Sequence, residues 1–142
     1  MATAVADVFL DLSAWQNMLD VQQEVFSGML QGAKIGILPK VEFDSPEGRI
    51  LSWEAQSGKM LANYSPFTGF RNADVDLLFV AEDEAMVTLY EQAGENAFLQ
   101  MKESLRRGTI LFYVLKTKSE LLDMGYEEFL DALGLGFLGA CR

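Results

Sequence analysis

The sequence lacks histidine altogether and has one cysteine, Cys141, among its 142 residues. The absence of imidazole excludes a His-based catalytic triad, a haem held by histidine and a His-ligated metal ion. A lone thiol excludes a disulfide within the chain and any zinc or iron–sulfur site built from several cysteines. We therefore expect no metal site and no cofactor, and the single thiol favours a reducing cytoplasm.

Basic residues are also scarce, with 11 Lys and Arg against 21 Asp and Glu, which gives a net charge of −10. This excess repels phosphate backbones and anionic lipids, so we expect no nucleic-acid partner and no membrane partner. No apolar run approaches the ~20 residues that span a bilayer, and Asp7 and Asp11 interrupt the N-terminal stretch where an export signal needs continuity. The sequence predicts a soluble cytoplasmic protein whose acid maintains solubility or attracts a basic protein partner.

Half of the residues are hydrophobic, with ten Phe and seven Met, which is a large share for a chain of this size. The length predicts a single domain over residues 1–142, and the apolar surplus favours a homodimer or an apolar protein partner. The first helix and the C-terminal tail carry the most surplus apolar side chains. The interface is therefore predicted at Phe9, Met18, Val25, Leu135, Phe137 and Leu138.

The first half of the chain predicts one long helix followed by a strand meander. A helical stripe runs through Val5, Val8, Leu12, Trp15, Leu19, Gln22, Phe26 and Met29. A capping box at Ser13 leaves a second possibility, in which the helix restarts there and residues 7–12 form a short strand or turn. Alternation predicts strands over residues 35–43, 50–55 and 60–64, and Pro39 should confine the first of these to a sheet edge or a bulge. Residues 65–73 read as a loop.

The second half predicts strand, helix, strand and helix in that order. A buried strand covers 75–80, and a helix then runs from Glu82 to Gly108, long enough to permit a parallel crossover. The apolar run 109–115 is typical of a central strand covered on both faces. Thr117 opens a capping box before a last helix over 121–133, which Gly125 interrupts.

These elements together predict an α+β domain. Its sheet is expected to be mixed and mostly antiparallel, with about five strands. A long N-terminal helix, a central helix and a C-terminal helix should pack on that sheet.

One group of residues could form a binding lip, because aromatic side chains and a cation cluster around a predicted loop. These residues are Tyr64, Phe67, Phe70 and Arg71. The alternative is that the loop aromatics fold back onto the core.

A second group is acidic. Asp74 and Asp76 leave one face of a strand, where two carboxylates could hold Mg²⁺ or divide acid and base roles. The alternative is solvated charge at a strand end. Glu82, Asp83 and Glu84 open a helix, where acids are expected for structural reasons.

Three functions follow from these patterns. The first is a non-catalytic, acidic protein-interaction module, acting as an adaptor, a chaperone-like protein or an inhibitor- or immunity-like protein. The second is a small-molecule-binding domain with the aromatic loop over the sheet. The third is a carboxylate-dependent enzyme, which is the least favoured because the usual acid–base residue is missing.

Overall fold

The computed structural model describes residues 8–45, 47–56, 58–69, 73–92 and 96–135. The strands are β1 (Lys34–Pro39), β2 (Gly48–Gln56), β3 (Lys59–Phe67), β4 (Leu77–Ala81) and β5 (Ile110–Val114). The α-helices are α1 (Leu12–Val21), α2 (Lys40–Phe43), α3 (Asp83–Glu91), α4 (Ala97–Arg107), α5 (Lys118–Asp123) and α6 (Glu127–Ala132). A 3₁₀ helix occupies Gln23–Phe26. The predicted α+β class is confirmed.

The sheet has five strands in the order β3-β2-β1-β4-β5. It is mixed and mostly antiparallel, as predicted, because β1 and β4 are parallel and the other neighbouring pairs are antiparallel. The parallel crossover that the length of the central helix permitted between β4 and β5 does not occur, because these strands are antiparallel. The parallel connection instead runs from β3 to β4, and the helices α3 and α4 join an antiparallel pair.

Two strand positions also differ from the prediction. β1 lies at the centre of the sheet although it ends in Pro39. The backbone of Pro39 faces β2, but pairing of β1 with β2 stops at Ile37. The N–H that proline lacks would therefore have no partner in the sheet, and its absence costs no hydrogen bond. Conversely, the apolar run at β5 forms an edge strand in which Ile110 is buried and the other four side chains are partly or largely exposed.

The long N-terminal helix is divided. Asp11 caps α1 by accepting from the Ala14 N–H at 3.2 Å, and the chain before it is helical at residues 8 and 9 and turns at Leu10. The helix is therefore interrupted, as the second possibility had it, but the new helix is capped by Asp11 rather than Ser13, and residues 8 and 9 are helical rather than a strand or turn. The central helix is also two helices, since α3 gives way to α4 after Gln92.

Three helix-boundary predictions are confirmed. Gly108 ends α4 in the left-handed region, with φ of 81°. Thr117 and Glu120 form the predicted capping box at α5. Gly125, with φ of 84°, separates α5 from α6, and its close approach to the Gly28 carbonyl leaves no room for a Cβ.

The core lies between the helices and one face of the sheet. We call this the helix face, and its side chains include Ile35, Ile37, Leu51, Trp53 and Phe79. An aromatic cluster joins the layers, with Phe26 against Trp53, Phe98 and Phe129 at ring-centroid distances of 6.5, 5.6 and 5.5 Å. Burial of these rings is a large contribution to folding, since each removes roughly 150–250 Å² from water.

The opposite side, which we call the second face, is crossed by the chain between β3 and β4. A Cβ placed on Gly36 would meet the Ile50 side chain and would lie 3.1 Å from Val75 Cγ1. Val75 therefore lies directly over β1. The short helix α2 covers another part of this face, where Phe43 stacks on Phe67 and Tyr113.

Candidate functional site

A cavity of about 380 Å³ opens between the 3₁₀ helix and the hairpin formed by β2 and β3. We call it the hairpin cavity. Its lining residues are Gln23, Glu24, Phe26, Ser27, Met29, Ala55, Gly58, Lys59 and Met60. It is within the size range of small-molecule sites, which is roughly 300–1,000 Å³.

The floor of the hairpin cavity is apolar. Phe26, Met29, Ala55 and Met60 are all buried, and Ala55 lies directly opposite Met60 in the β2–β3 register. The backbone at Ala55 is fixed on both sides, since its N–H donates to the Ala33 carbonyl at 2.8 Å and its carbonyl accepts from Gly32. A small residue at a rigid position creates the space, and two flexible methionines can adapt its shape.

The rim of the hairpin cavity is polar and exposed. Gln23, Glu24 and Ser27 come from the 3₁₀ helix and the turn after it, and Lys59 begins β3. The Ser27 hydroxyl already donates to the Glu24 carbonyl at 2.8 Å. The cavity thus combines an apolar floor with one anionic, one cationic and one amide side chain at its mouth.

A second cavity, of about 310 Å³, follows β2 and β3 on the second face and reaches around β3 to Gln16. Its lining is mostly polar. Lys34 Nζ lies there between Glu54 Oε1 at 3.8 Å and Asp74 Oδ2 at 3.4 Å. The Ser52 hydroxyl is buried and has no hydrogen-bond partner among the described residues.

The predicted aromatic group is only partly described. Tyr64 lies in β3 rather than in a loop, and its hydroxyl donates to the Phe9 carbonyl. Phe67 is the last residue of β3 and is 2% exposed, packed on Phe43. Phe70 and Arg71 lie outside the described residues. The two described aromatics therefore fold onto the core, which is the alternative that the sequence left open.

The predicted acidic residues do not form one site. Asp76 is 9% exposed and accepts from the Tyr126 hydroxyl at 2.6 Å and from the Lys34 N–H at 3.1 Å. Asp74 is exposed and pairs with the Lys34 ammonium, whereas Asp76 accepts from the Lys34 backbone N–H, so the two carboxylates bind different groups of one residue. Glu82, Asp83 and Glu84 are exposed at the start of α3, beyond the other end of β4. The described part of the chain contains no group of three acidic or cysteine side chains suited to a metal ion.

Three tyrosines have raised pKa values. Burial raises the pKa of Tyr126 far above its usual range, and the hydrogen bond to Asp76 adds to the effect. Burial and the charge of Asp11 raise the pKa of Tyr64 to about 12. The hydrogen bond that Tyr90 donates to Asp11, at 2.6 Å, raises the pKa of Tyr90. These hydroxyls stay protonated at neutral pH and act as fixed donors.

The residues predicted for an interface lie in different environments. Phe9 and Met18 belong to the chain's own core, at 3% and 0% exposure, so they present no free area. Val25 and Leu135 are partly buried against that core. Phe137, Leu138 and Cys141 lie outside the described residues.

Sequence patterns did not identify the hairpin cavity. Met29 was counted in the helical stripe, and Ala55 and Met60 were counted as alternating strand residues. Ala55 is a small residue two positions before the hairpin turn. This pattern indicates a cavity only when it is known which helix packs there.

Among the described residues, no helix is both long enough and apolar enough to cross a bilayer. No protein-family model and no curated protein sequence matches this chain.

Two solved structures are similar to the chain in fold. One is the solution structure of a conserved hypothetical protein from Thermus thermophilus, described as a possible sterol carrier protein. It aligns with a TM-score of 0.46 and 16% identity, over 90% of this chain and 89% of its own. The other is the crystal structure of sterol carrier protein 2, with a TM-score of 0.45 and 15% identity over 94% of each chain.

Proposed function

We propose that the protein binds a small amphipathic molecule in the hairpin cavity, with the apolar body of the ligand on the floor and its polar head at the rim. The observation that carries this proposal is the division of one 380 Å³ space into an apolar floor and a polar, charged mouth. Ligand sites generally have this composition, because apolar contacts supply affinity and a few polar groups fix orientation.

The floor supports the proposal through its chemistry. Ligand carbon atoms placed against Phe26, Met29 and Met60 would leave water without displacing any hydrogen bond of the protein. Each buried CH₂ group contributes about 0.8 kcal/mol, so about ten buried methylenes would contribute roughly 8 kcal/mol before the cost of association. The two methionines adapt to different ligand shapes more readily than branched side chains do.

The rim favours a ligand with one anionic or strongly polar head. Lys59 is an exposed cation on the hairpin, and the exposed Gln23 amide on the 3₁₀ helix can donate or accept at the same mouth. Glu24 lies on the other side of the mouth and would disfavour a ligand with two negative charges. This function is the second of the three that the sequence left open, with the site at the hairpin rather than under the aromatic loop.

The test is binding of a dansyl-labelled fatty acid, which has an apolar body and an anionic head. The wild-type chain should bind it saturably with one site per chain. Ala55→Leu should fill the floor and abolish binding, whereas Lys59→Gln should weaken binding without abolishing it. Saturable binding of a polar, uncharged sugar instead of the fatty acid would contradict the proposal.

The matched control is Ala85→Leu, since Ala85 and Ala55 are both 5% exposed and Ala85 lies in α3, away from the cavity. Both variants enlarge a buried alanine, which costs about 1–3 kcal/mol of stability through overpacking. Equal loss of ligand by the two variants would attribute the effect to stability and refute the assignment of the site. No binding by the wild type would refute the function itself.

A further inference from the structure

A third cavity, of about 340 Å³, lies where the parallel strands β1 and β4 end. We call it the strand-end cavity. Pro39 and Ala81 are the last register partners of this pair, and the residues that follow them, Lys40 and Glu82, both line the cavity. Because neighbouring strands lie about 5 Å apart, the backbones of Lys40 and Glu82 start from adjacent positions.

The chain leaves these two strand ends toward opposite faces of the sheet. After β1 it forms α2 on the second face and returns to β2, whereas after β4 it forms α3 on the helix face and later returns to β5. The position of α3 follows from Tyr90, whose ring packs on Trp15 of α1 at a centroid distance of 5.9 Å. Sheets with parallel strands bind ligands in the crevice that such a divergence opens, outside the carboxyl ends of the strands. The strand-end cavity occupies that position.

The inner wall of the strand-end cavity is apolar. Val80 lies on the second face, because Phe79 beside it belongs to the helix face, and Leu111 is the register partner of Val80 in β5. Tyr113 lies on the same face, and its ring stacks on Phe43 of α2 at a centroid distance of 6.2 Å and an interplanar angle of 8°. Leu111 is 49% exposed, so a ligand in the cavity has apolar area to cover.

The mouth of the strand-end cavity carries charges of both signs. Lys40 and Asp44 are one helical turn apart at the two ends of α2, so their side chains share a face, and Glu82 is next to Lys40 across the strand ends. All three side chains are exposed. Within the described part of the chain, Lys40 forms an ion pair with neither carboxylate, and Glu82 makes no side-chain bond as the N-cap of α3. These charged groups are therefore available to a ligand.

We propose that the strand-end cavity binds a free α-amino acid with an aromatic side chain. An α-amino acid carries its ammonium and its carboxylate on one carbon, so the protein groups that recognise it must be an anion and a cation side by side. Lys40 and Glu82 meet this requirement at adjacent strand ends. Lys40 binds the ligand carboxylate, and Glu82, with Asp44 near it, binds the ligand ammonium. The side chain of the ligand lies against Val80 and Leu111.

The charge balance and the volume favour this class of ligand. Two carboxylates outnumber one ammonium at the mouth, so a ligand with only a negative charge is repelled, while Lys40 disfavours a ligand with only a positive charge. The volume of about 340 Å³ is at the lower end of the range of small-molecule sites, which is roughly 300–1,000 Å³, and suits one amino acid better than a peptide. The rings of Phe43 and Tyr113 favour an aromatic side chain, because aromatic rings pack on one another in preferred geometries.

This site is separate from the hairpin cavity and does not depend on the proposed function. Lys34 at the start of β1 pairs with Glu54 near the hairpin, so the hairpin cavity lies at the opposite end of β1 from Lys40. The two cavities also lie on different faces, since Ala55 follows Trp53 at a spacing of two and shares the helix face with it. An amino acid should therefore leave a bound fatty acid in place, and either ligand can fail to bind without the other.

Isothermal titration calorimetry with L-phenylalanine tests the proposal, and the wild-type chain should bind it saturably with one site per chain. L-Phenylalaninamide keeps the ammonium and the ring but lacks the carboxylate, so it should bind about fivefold more weakly or worse. Glu82→Gln should weaken the binding of both ligands by about fivefold or more, because both carry the ammonium. Lys40→Gln should weaken the binding of L-phenylalanine alone, because the amide has no negative charge for Lys40 to bind.

The matched control is Glu127→Gln, which removes an exposed acid at the start of another helix, α6, and should leave both affinities unchanged. Equal effects of Glu127→Gln and Glu82→Gln would overturn the proposal, since overall charge would then explain the binding. Equal effects of Lys40→Gln on the two ligands would overturn it as well, because Lys40 would then not recognise the carboxylate. The proposal also fails if the wild type does not bind L-phenylalanine at millimolar concentrations, or if L-phenylalanine displaces the dansyl-labelled fatty acid.

Discussion

Removing the hydroxyl of Tyr126 should destabilise the fold substantially, although the change is a single oxygen. Tyr126 is fully buried at the start of α6, and its hydroxyl donates at 2.6 Å to Asp76, which is 9% exposed. Asp76 also accepts from the Lys34 N–H, so one carboxylate joins α6, β1 and the residues before β4. In Tyr126→Phe this carboxylate keeps the Lys34 bond and loses its other donor in a place that water cannot easily reach.

The expected loss follows from the type of bond. A hydrogen bond to a charged group contributes about 1.5–3 kcal/mol, so Tyr126→Phe should lower the free energy of unfolding by about 2 kcal/mol. An unfolding entropy of about 2.1 cal/mol/K per residue gives roughly 300 cal/mol/K for this chain, which converts the loss into a fall in Tm of about 7 °C. Urea unfolding followed by circular dichroism measures the first quantity, and calorimetry measures the second.

Tyr90→Phe is the matched control. Tyr90 also donates to a carboxylate at 2.6 Å, in this case Asp11, but near the surface. Water can replace the lost donor there, so the loss of stability should be clearly smaller. If Tyr90→Phe costs as much as Tyr126→Phe, or if Tyr126→Phe leaves the urea midpoint unchanged, burial is not what strengthens the Asp76 bond and the reasoning fails.

Two further predictions concern pH and an unpartnered hydroxyl. Raised folded-state pKa values at Tyr126 and Tyr64 stabilise the protein below the unfolded value of 10.0, and this stabilisation is lost as the pH rises through the folded values. The urea midpoint should therefore fall above about pH 10, and less steeply in Tyr126→Phe; a midpoint constant up to pH 12 would contradict this. Ser52→Ala should raise stability by about 0.5–1 kcal/mol, because the buried hydroxyl of Ser52 has no partner, while Ser27→Ala, which loses a bond, should show no gain.

Much of the fold could be predicted because its signals are local. The capping box at Thr117, the glycine that ends α4 and the alternation in β2 each depend on neighbours within a few residues. Such patterns report backbone and burial preferences directly. They sufficed for the class of fold and for a mixed sheet.

The errors concern position within the sheet, which local patterns do not encode. Pro39 reads as an edge residue, but it occupies the one end of β1 where pairing with β2 has already stopped. The apolar run at β5 is typical of a central strand, but β5 lies at the edge of the sheet. Helices pack on one face there, and no described strand lies beyond it. Strand order is decided by contacts between distant segments, so neither outcome was available from a single stretch of sequence.

The hairpin cavity could not be predicted from the sequence for the same reason. The hairpin cavity combines Phe26 and Met29 with Ala55 and Met60, and the two pairs come from segments about 30 residues apart. Each residue taken alone is an ordinary core residue. The cavity arises because the 3₁₀ helix packs against the hairpin at the position where Ala55 has a small side chain.

The parallel pairing of β1 with β4 also determines how long one side of β1 stays unpaired during synthesis. Pro39 pairs with Ala81, which the ribosome adds 42 residues later. Synthesis at about 5–20 residues per second leaves that side of β1 unpaired for roughly 2–8 s, whereas a hairpin such as β2–β3 closes in about 1–10 μs. A central strand of the finished protein thus has one open side in the nascent chain, and during this interval that side is available to aggregation or to a chaperone.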